Sequence, residues 1–249
     1  MTSKLSRRSF LSCACCASLG VAAGLGTLTS AYAAGKKTDL TADQALALLK
    51  EGNQKFVAES PVQAAQSRER RLEIARGQTP FAVLVSCSDS RVPPELLFGR
   101  GLGELFIVRN AGNTVDTTAL GSIEYAVAEL GVPLVVVLGH ERCGAVDAAL
   151  TVVETNAAFP GSIGQMLEPI IPAALKARSA ASPNVDREEL LDMAVRENVR
   201  RVVTRLRTSE PILMEPLRAS RLKIVGARYI KMYAPRVKTL KYLVFNISI

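Results

Sequence analysis

The sequence predicts an α/β domain in which a mostly parallel central sheet of four to five strands is flanked by helices. Two observations predict it. Residues 80–86, 105–108, 133–138 and 222–226 are continuous apolar runs rather than alternating ones. Strands buried on both faces read this way, and they belong to parallel sheets covered by helices. Segments with helical periodicity lie between the runs, the connection pattern of such sheets. The 249-residue chain is 48% hydrophobic and 22% charged, which suits a globular domain with a real core and excludes long-range disorder.

Each element follows from its own residues. Residues 40–57 read as an amphipathic helix with Leu46, Leu49 and Phe56 on one face, and residues 67–76 as a charged helical stretch. The run Pro80-Phe81-Ala82-Val83-Leu84-Val85-Ser86 is a buried strand, and Leu105-Phe106-Ile107-Val108 is a second. Over residues 117–130, Leu120, Ile123, Val127 and Leu130 recur at helical spacing, and Gly131 stops that helix. Residues 133–138 form the third strand and lead directly into Gly139-His140. Residues 143–153 and 163–177 read as helices, the latter bent or interrupted by prolines. Asp186-x-x-Glu189 is a capping-box-like start. Leu191, Val195, Val199, Val202 and Leu206 then form one helical stripe, while Arg200, Arg201, Arg205 and Arg207 mostly face elsewhere. Residues 222–226 supply the fourth strand. Ligands bind beyond the carboxyl ends of strands in open sheets of this kind. Cys87 sits at one such end and His140 at another.

The first thirty-odd residues are read apart from this domain. Ser6-Arg7-Arg8-Ser9-Phe10-Leu11 is a twin-arginine pattern, a small apolar run follows, and Ala31-Tyr32-Ala33 fits a cleavage site. The run is rich in Gly and Ala and weakly hydrophobic for a span, so residues 1–33 read as a cleaved signal rather than a membrane anchor. The expected location is therefore the periplasm. Removing residues 1–33 takes Lys4, Arg7 and Arg8 and no acid, so the net charge falls from +8 to +5. Cys13, Cys15 and Cys16 leave with them, and the mature chain, residues 34–249, keeps only Cys87 and Cys143.

Two thiols can form one bridge or two metal ligands. A disulfide suits an exported protein. The alternative rests on two segments, Cys87-Ser88-Asp89-Ser90-Arg91 and His140-Glu141-Arg142-Cys143-Gly144. A His-x-x-Cys at the opening of a helix can bring an imidazole and a thiolate onto one metal, and Cys87 can add a third ligand from the neighbouring strand end. Such a Cys₂His set leaves a fourth tetrahedral position for water or substrate, whereas a structural zinc site wants a fourth protein ligand. Cys87 and Arg91 are too close in sequence for the phosphate cradle of a thiol phosphatase. The two segments together favour zinc.

These segments, Cys-x-Asp-Ser-Arg followed some fifty residues later by His-x-x-Cys-Gly, resemble the beta class of carbonic anhydrases. The resemblance runs from about Leu40 to Tyr229. It includes Glu51-Gly52-Asn53, Val92-Pro93-Pro94-Glu95, Val108-Arg109-Asn110-Ala111-Gly112-Asn113, Gly121-Ser122-Ile123-Glu124-Tyr125-Ala126 and Val137-Leu138-Gly139-His140. It implies one Zn²⁺ per chain held by Cys87, His140 and Cys143. The implied reaction is the reversible hydration of CO₂ to bicarbonate and a proton, by attack of zinc-bound hydroxide on CO₂. Asp89 and Arg91 would form a dyad beside the metal, with Asp89 either bonding the hydroxide or swinging in as a fourth ligand in a closed state. Gln78 would hydrogen-bond the substrate, Phe106 and Tyr125 would line the pocket, and the N–H of Gly144 would lie near bicarbonate. A homodimer or larger homo-oligomer is also implied. Zinc-hydroxide hydrolysis of CS₂ or COS on the same scaffold is the nearest rival chemistry, and a non-catalytic zinc protein is the rival of another class.

Three features set this chain apart. Some bacterial members of the class bind regulatory bicarbonate beside a tryptophan; the chain has no Trp, and Leu84 stands at that position. The chain has a single histidine, so the metal would leave no imidazole to shuttle protons. Last, Ile230-Lys231-Met232-Tyr233 replaces the family's usual Asp and Thr-Gly turn, and eight basic residues but no acidic one follow Glu215. Residues 230–249 thus read as an atypical, diverged tail, and membrane contact is expected only through an uncleaved signal or through this basic arm. Nucleic-acid binding is not expected, because the arginines lie on solvated helix faces.

Overall fold

The computed structural model describes residues 37–60, 64–230 and 243–245. The twin-arginine segment and its cleavage site lie outside the described residues, as does most of the tail.

Valine and leucine dominate β1 (Ala82–Cys87) and β3 (Leu134–His140), and every residue of both strands is buried. Unbroken burial places them at the centre of the sheet, with strands on both sides and helices on both faces. The order is β2-β1-β3-β4-β5, with β2 spanning Leu105–Asn110, β4 Lys223–Tyr229 and β5 Leu243–Phe245. The first four are parallel and β5 is antiparallel to β4. This is the expected fold class, with the backbone of residues 243–245 closing one edge.

Alternation along β1 and β3 divides the core. Ala82, Leu84, Leu134, Val136 and Leu138 face one hydrophobic cluster, and Val83, Val85, Val135 and Val137 face the other. The first cluster takes in α1 (Ala42–Val57), α5 (Gly144–Thr155) and α7 (Ile171–Ala180); the second takes in α4 (Thr117–Ala128). The long α8 (Arg187–Arg207) serves both, through Leu190 and Ala194 near its start and Val199 to Leu206 near its end.

Local chemistry sets the helix ends. Thr41 and Gln44 form a reciprocal capping box at α1, with N–H···O distances of 3.2 and 2.8 Å. Asp116 caps α4 through the Ala119 N–H at 2.7 Å. At α8 the expected cap residue, Asp186, accepts from the Glu188 N–H at 2.8 Å. The helix expected over 163–177 is two, α6 (Ser162–Leu167) and α7, with Pro169 between them and Pro172 in the first turn of α7. A proline has no N–H to give the preceding turn, so the helix stops and restarts. Two single-turn helices, α3 (Pro94–Phe98) and α9 (Met214–Arg218), and α2 (Arg68–Ile74) complete the set among the described residues.

The packing brings α8 hard against the carboxyl end of β3. A Cβ on Gly139 would lie 2.5 Å from Val199 Cγ2, so only glycine admits the helix beside His140. Among the described residues no helix is long and apolar enough to cross a membrane.

Candidate active site

Cys87 is the last residue of β1 and His140 the last of β3, on adjacent parallel strands. Both therefore emerge at the same carboxyl edge. The chain then turns through Arg142, a non-glycine residue at φ 52°, and Cys143 becomes the N-cap of α5. All three side chains are buried, and their ligand atoms lie within 4.8 Å of one another. The expected cluster is assembled.

Its geometry fits a metal better than a bridge. Cys87 and Cys143 are free, and their sulfurs stand 3.9 Å apart. A disulfide would need about 2.05 Å. Two sulfurs on one tetrahedral zinc at about 2.3 Å each lie roughly 3.8 Å apart. His140 Nδ1 lies 3.0 Å from the Glu141 carbonyl oxygen, which can only accept, so Nδ1 carries the proton. Nε2 keeps its lone pair, is buried, and has no hydrogen-bond partner. An orphaned imidazole nitrogen beside two buried thiols is the donor set that zinc takes, and a backbone carbonyl on the other nitrogen is how metal-bound histidines are usually oriented.

The two sulfurs shift each other in opposite directions. The hydrogen bond with Cys143 pulls the Cys87 thiol down to about 4 against the cost of burial, helped by the Gly112 N–H and the Asp89 N–H. Cys143 is pushed up, first by the same bond with Cys87 and then by burial. A divalent cation that takes the set displaces the thiol protons and gains two thiolates.

Asp89 and Arg91 form a fork beside the cluster. Arg91 Nε donates to Asp89 Oδ1 at 2.8 Å and Nη2 to Oδ2 at 2.6 Å, while the Arg91 backbone N–H donates to Oδ1 at 2.9 Å. These bonds, the side-chain ones foremost, hold the Asp89 carboxyl well below the usual carboxylate range. Asp89 Oδ2 lies 3.8 Å from His140 Nε2, so the ionised carboxylate sits at the edge of the ligand set while Arg91 grips it.

Three supports were not read from the sequence. Arg109 donates through Nε to the Cys87 carbonyl at 2.8 Å and through Nη2 to the Asp89 carbonyl at 2.7 Å, which clamps the loop between ligand and dyad. The Gly112 N–H donates to Cys87 Sγ at 3.3 Å. Gly112 has φ 75°, and a Cβ there would meet Ile170 Cδ1 at 2.5 Å, so glycine is required. Buried Asn198 of α8 donates to the Gly112 carbonyl at 2.8 Å and fixes that peptide. The Arg109-Asn110-Ala111-Gly112 segment was visible as a motif, but its targets are set by folding.

The remaining expected residues divide. Gly144 opens α5 next to Cys143, and a Cβ there would touch nothing within 4 Å, so space adjoins the cluster. Gln78 is exposed on the loop before β1, and at about 3.3 Å per residue that strand separates it from Cys87 by on the order of 16 Å. Phe106 pairs with Val83 near the start of edge strand β2, and its ring lies 6.4 Å from that of Tyr125 on α4. Both are half-buried on the second core cluster. Phe106 stands level with Val83, four residues before Cys87, and so lies back along the sheet from the carboxyl edge.

A parallel α/β sheet with a buried Cys-His-Cys set at its carboxyl edge defines a class of metal-site enzyme. Comparison with known proteins places the chain within that class. A family model described as carbonic anhydrase matches residues 82–232. Carbonic anhydrase 2 of Mycobacterium tuberculosis is 41% identical over 181 residues, covering 73% of this chain and 84% of that protein. The carbonic anhydrase of Mycolicibacterium smegmatis is also 41% identical over 181 residues, covering 73% of this chain and 85% of that protein. Among solved structures, the Coccomyxa beta-carbonic anhydrase in complex with acetazolamide superposes with a TM-score of 0.60 at 30% identity, over 74% of this chain and 82% of that one. A tetrameric beta-carbonic anhydrase from Sordaria macrospora gives a TM-score of 0.59 at 28% identity, over 64% and 80%. The chain belongs to the carbonic anhydrase family and is a carbonic anhydrase.

Proposed function

We propose that the mature chain is an exported zinc enzyme that converts CO₂ and water reversibly to bicarbonate and a proton. The observation that carries this reading is the Cys87–His140–Cys143 set with its orphaned Nε2. Zinc held there supplies a Lewis acid that makes hydroxide available near neutral pH.

The chain's own residues do the rest. Ionised Asp89 accepts hydrogen bonds and donates none, so it orients the O–H of a hydroxide nucleophile and leaves a lone pair for the carbon of CO₂. Arg91 keeps Asp89 ionised and away from the ligand set; without that grip Asp89 would be free to join Cys87, His140 and Cys143 in holding the metal. The N–H at Gly144, in the open space at the start of α5, suits a bicarbonate oxygen.

Gln78, Phe106 and Tyr125 serve the site of a second copy. Gln78 is exposed, Phe106 on edge strand β2 and Tyr125 on α4 are half-buried, so their substrate role is one across a homodimer or larger assembly. The tetrameric Sordaria macrospora proteins agree with this reading. The twin-arginine segment directs the protein to the periplasm with cleavage after Ala33. That route carries folded proteins, so zinc is loaded first and shields Cys87 and Cys143 from oxidation.

The test is zinc quantitation with a CO₂ hydration assay on the mature protein, alongside CS₂ and COS. One zinc per chain and hydration that is lost on chelation are expected; zinc-replete protein that leaves CO₂ untouched and turns over CS₂ or COS overturns the assignment. A second outcome follows from the single histidine. Its Nδ1–H is held by the Glu141 carbonyl and its Nε2 faces the ligand set, so no imidazole relays protons to solvent. Turnover should rise with buffer concentration, and a rate indifferent to buffer contradicts this account of proton release.

A further inference from the structure

Beside the β3–β4 ladder that ends at His140 lies a half-buried charge cluster that the reaction does not use. Arg228 of β4 pairs in register with Gly139 of β3, and its side chain is 12% exposed. It forms an ion pair with Asp192 of α8, itself 21% exposed and also paired with Arg196 at 2.6 Å. The Glu141 carboxylate acts on the same guanidinium: burial pulls the Arg228 pKa down and the negative charge of Glu141 pushes it back up. Glu141 Oε2 is buried without a hydrogen-bond partner, so this attraction is what offsets its burial.

A buried ion pair is a poor source of net stability, because the desolvation cost cancels most of the attraction. What it does provide is a fixed position, and here the position leads to the ligand. The residue after Arg228 is Tyr229, whose carbonyl accepts from the Glu141 N–H at 2.9 Å. The Glu141 carbonyl, in the next peptide group, lies 3.0 Å from His140 Nδ1. The path runs from α8 through the end of β4 to the Glu141 backbone, whose N–H is held by β4 and whose carbonyl sets the tautomer of the histidine.

We propose that the Arg228–Asp192 pair is the positioning device for His140: it fixes the end of β4, and with it the Glu141 backbone, and thereby holds Nε2 toward the two sulfurs. Arg228, Asp192 and Glu141 are positioning residues and touch no substrate. The inference rests on the reading that the cluster holds zinc.

Zinc affinity, read by competition with a chromophoric chelator on the mature protein, tests it without recourse to activity. Arg228→Met should weaken zinc binding by roughly 10–100-fold, the usual effect of losing a group that orients a ligand. The visible spectrum of the cobalt-loaded variant should shift, since the imidazole is no longer held in one orientation. Asp192→Asn keeps the shape of the side chain and leaves Arg228 its Glu141 partner, so it serves where Arg228→Met does not fold; it should weaken zinc binding by about 10-fold. Glu197→Gln is the control. It breaks another buried ion-pair group on α8, with Lys176 Nζ at 2.9 Å and with Arg200. It should lower the melting temperature and leave zinc affinity within about twofold, as distant sites act independently. Folded Arg228→Met or Asp192→Asn protein with wild-type zinc affinity overturns the proposal, and so does an equal loss in Glu197→Gln, which would mark general loosening. Wild-type protein that binds no zinc is a different result, and removes the reading on which the proposal rests.

Discussion

Cys87→Ser is expected to empty the metal site and bring CO₂ hydration down to the buffer-catalysed background. The substitution removes one atom's worth of chemistry and little volume. A serine hydroxyl does not ionise near neutral pH, so the set loses one of the two negative charges that neutralise a divalent cation. It also loses the sulfur that takes the Gly112 N–H at 3.3 Å and stands 3.9 Å from Cys143. Zinc per chain should fall from about one to under about a tenth, because affinity depends on the deprotonated ligands. The far-ultraviolet circular dichroism should hardly change, since the backbone of β1 is tied on both sides by parallel ladders. A Cys87→Ser protein that keeps full zinc and activity would refute the assigned ligand set.

The second large effect separates chemistry from metal binding. Asp89→Asn keeps the size of the side chain but makes it a donor as well as an acceptor, so it no longer dictates the direction of a hydroxide O–H. Hydration should fall by about 100-fold or more, in the range seen when a positioned proton-handling group is removed, while zinc content stays at wild-type level. Arg91→Leu reaches the same step from the other side. It removes the side-chain bonds at 2.8 and 2.6 Å that hold Asp89. The carboxylate, already 3.8 Å from His140 Nε2, is then free to close on the ligand set. Hydration should again drop while zinc is retained. If both variants lost zinc in proportion to activity, the dyad would be a structural prop for the ligands and not part of the reaction.

Much of this was legible in the chain because the deciding signals are local. The apolar runs that became β1 and β3 are contiguous in sequence, and a strand that must be apolar on both faces has no other pattern to show. Cys87 and His140 are the last residues of their strands and Cys143 follows three residues on, so the topology carries them to one edge. The dyad was implied by the resemblance alone; in the structure Asp89 and Arg91, two residues apart, bond across a single turn. The short helices α3 and α9 have too few residues to display a helical period, and the break between α6 and α7 depends on where Pro169 falls in the turn.

The sequence by itself determined the fold class and the candidate metal set, because apolar runs and the residues at their ends are specified by composition and spacing; the dyad came from the resemblance to beta-class carbonic anhydrases. Only the tertiary structure decided what holds them. Arg109 reaches carbonyls 20 and 22 residues away, Asn198 reaches Gly112 across 86 residues, and Arg228 meets Asp192 from another element. It also decided that Phe106 packs beside Tyr125 of another element, with ring centroids 6.4 Å apart. Bonds of this kind join groups that are near one another only after the sheet has formed and the helices have covered it, so no local pattern records them.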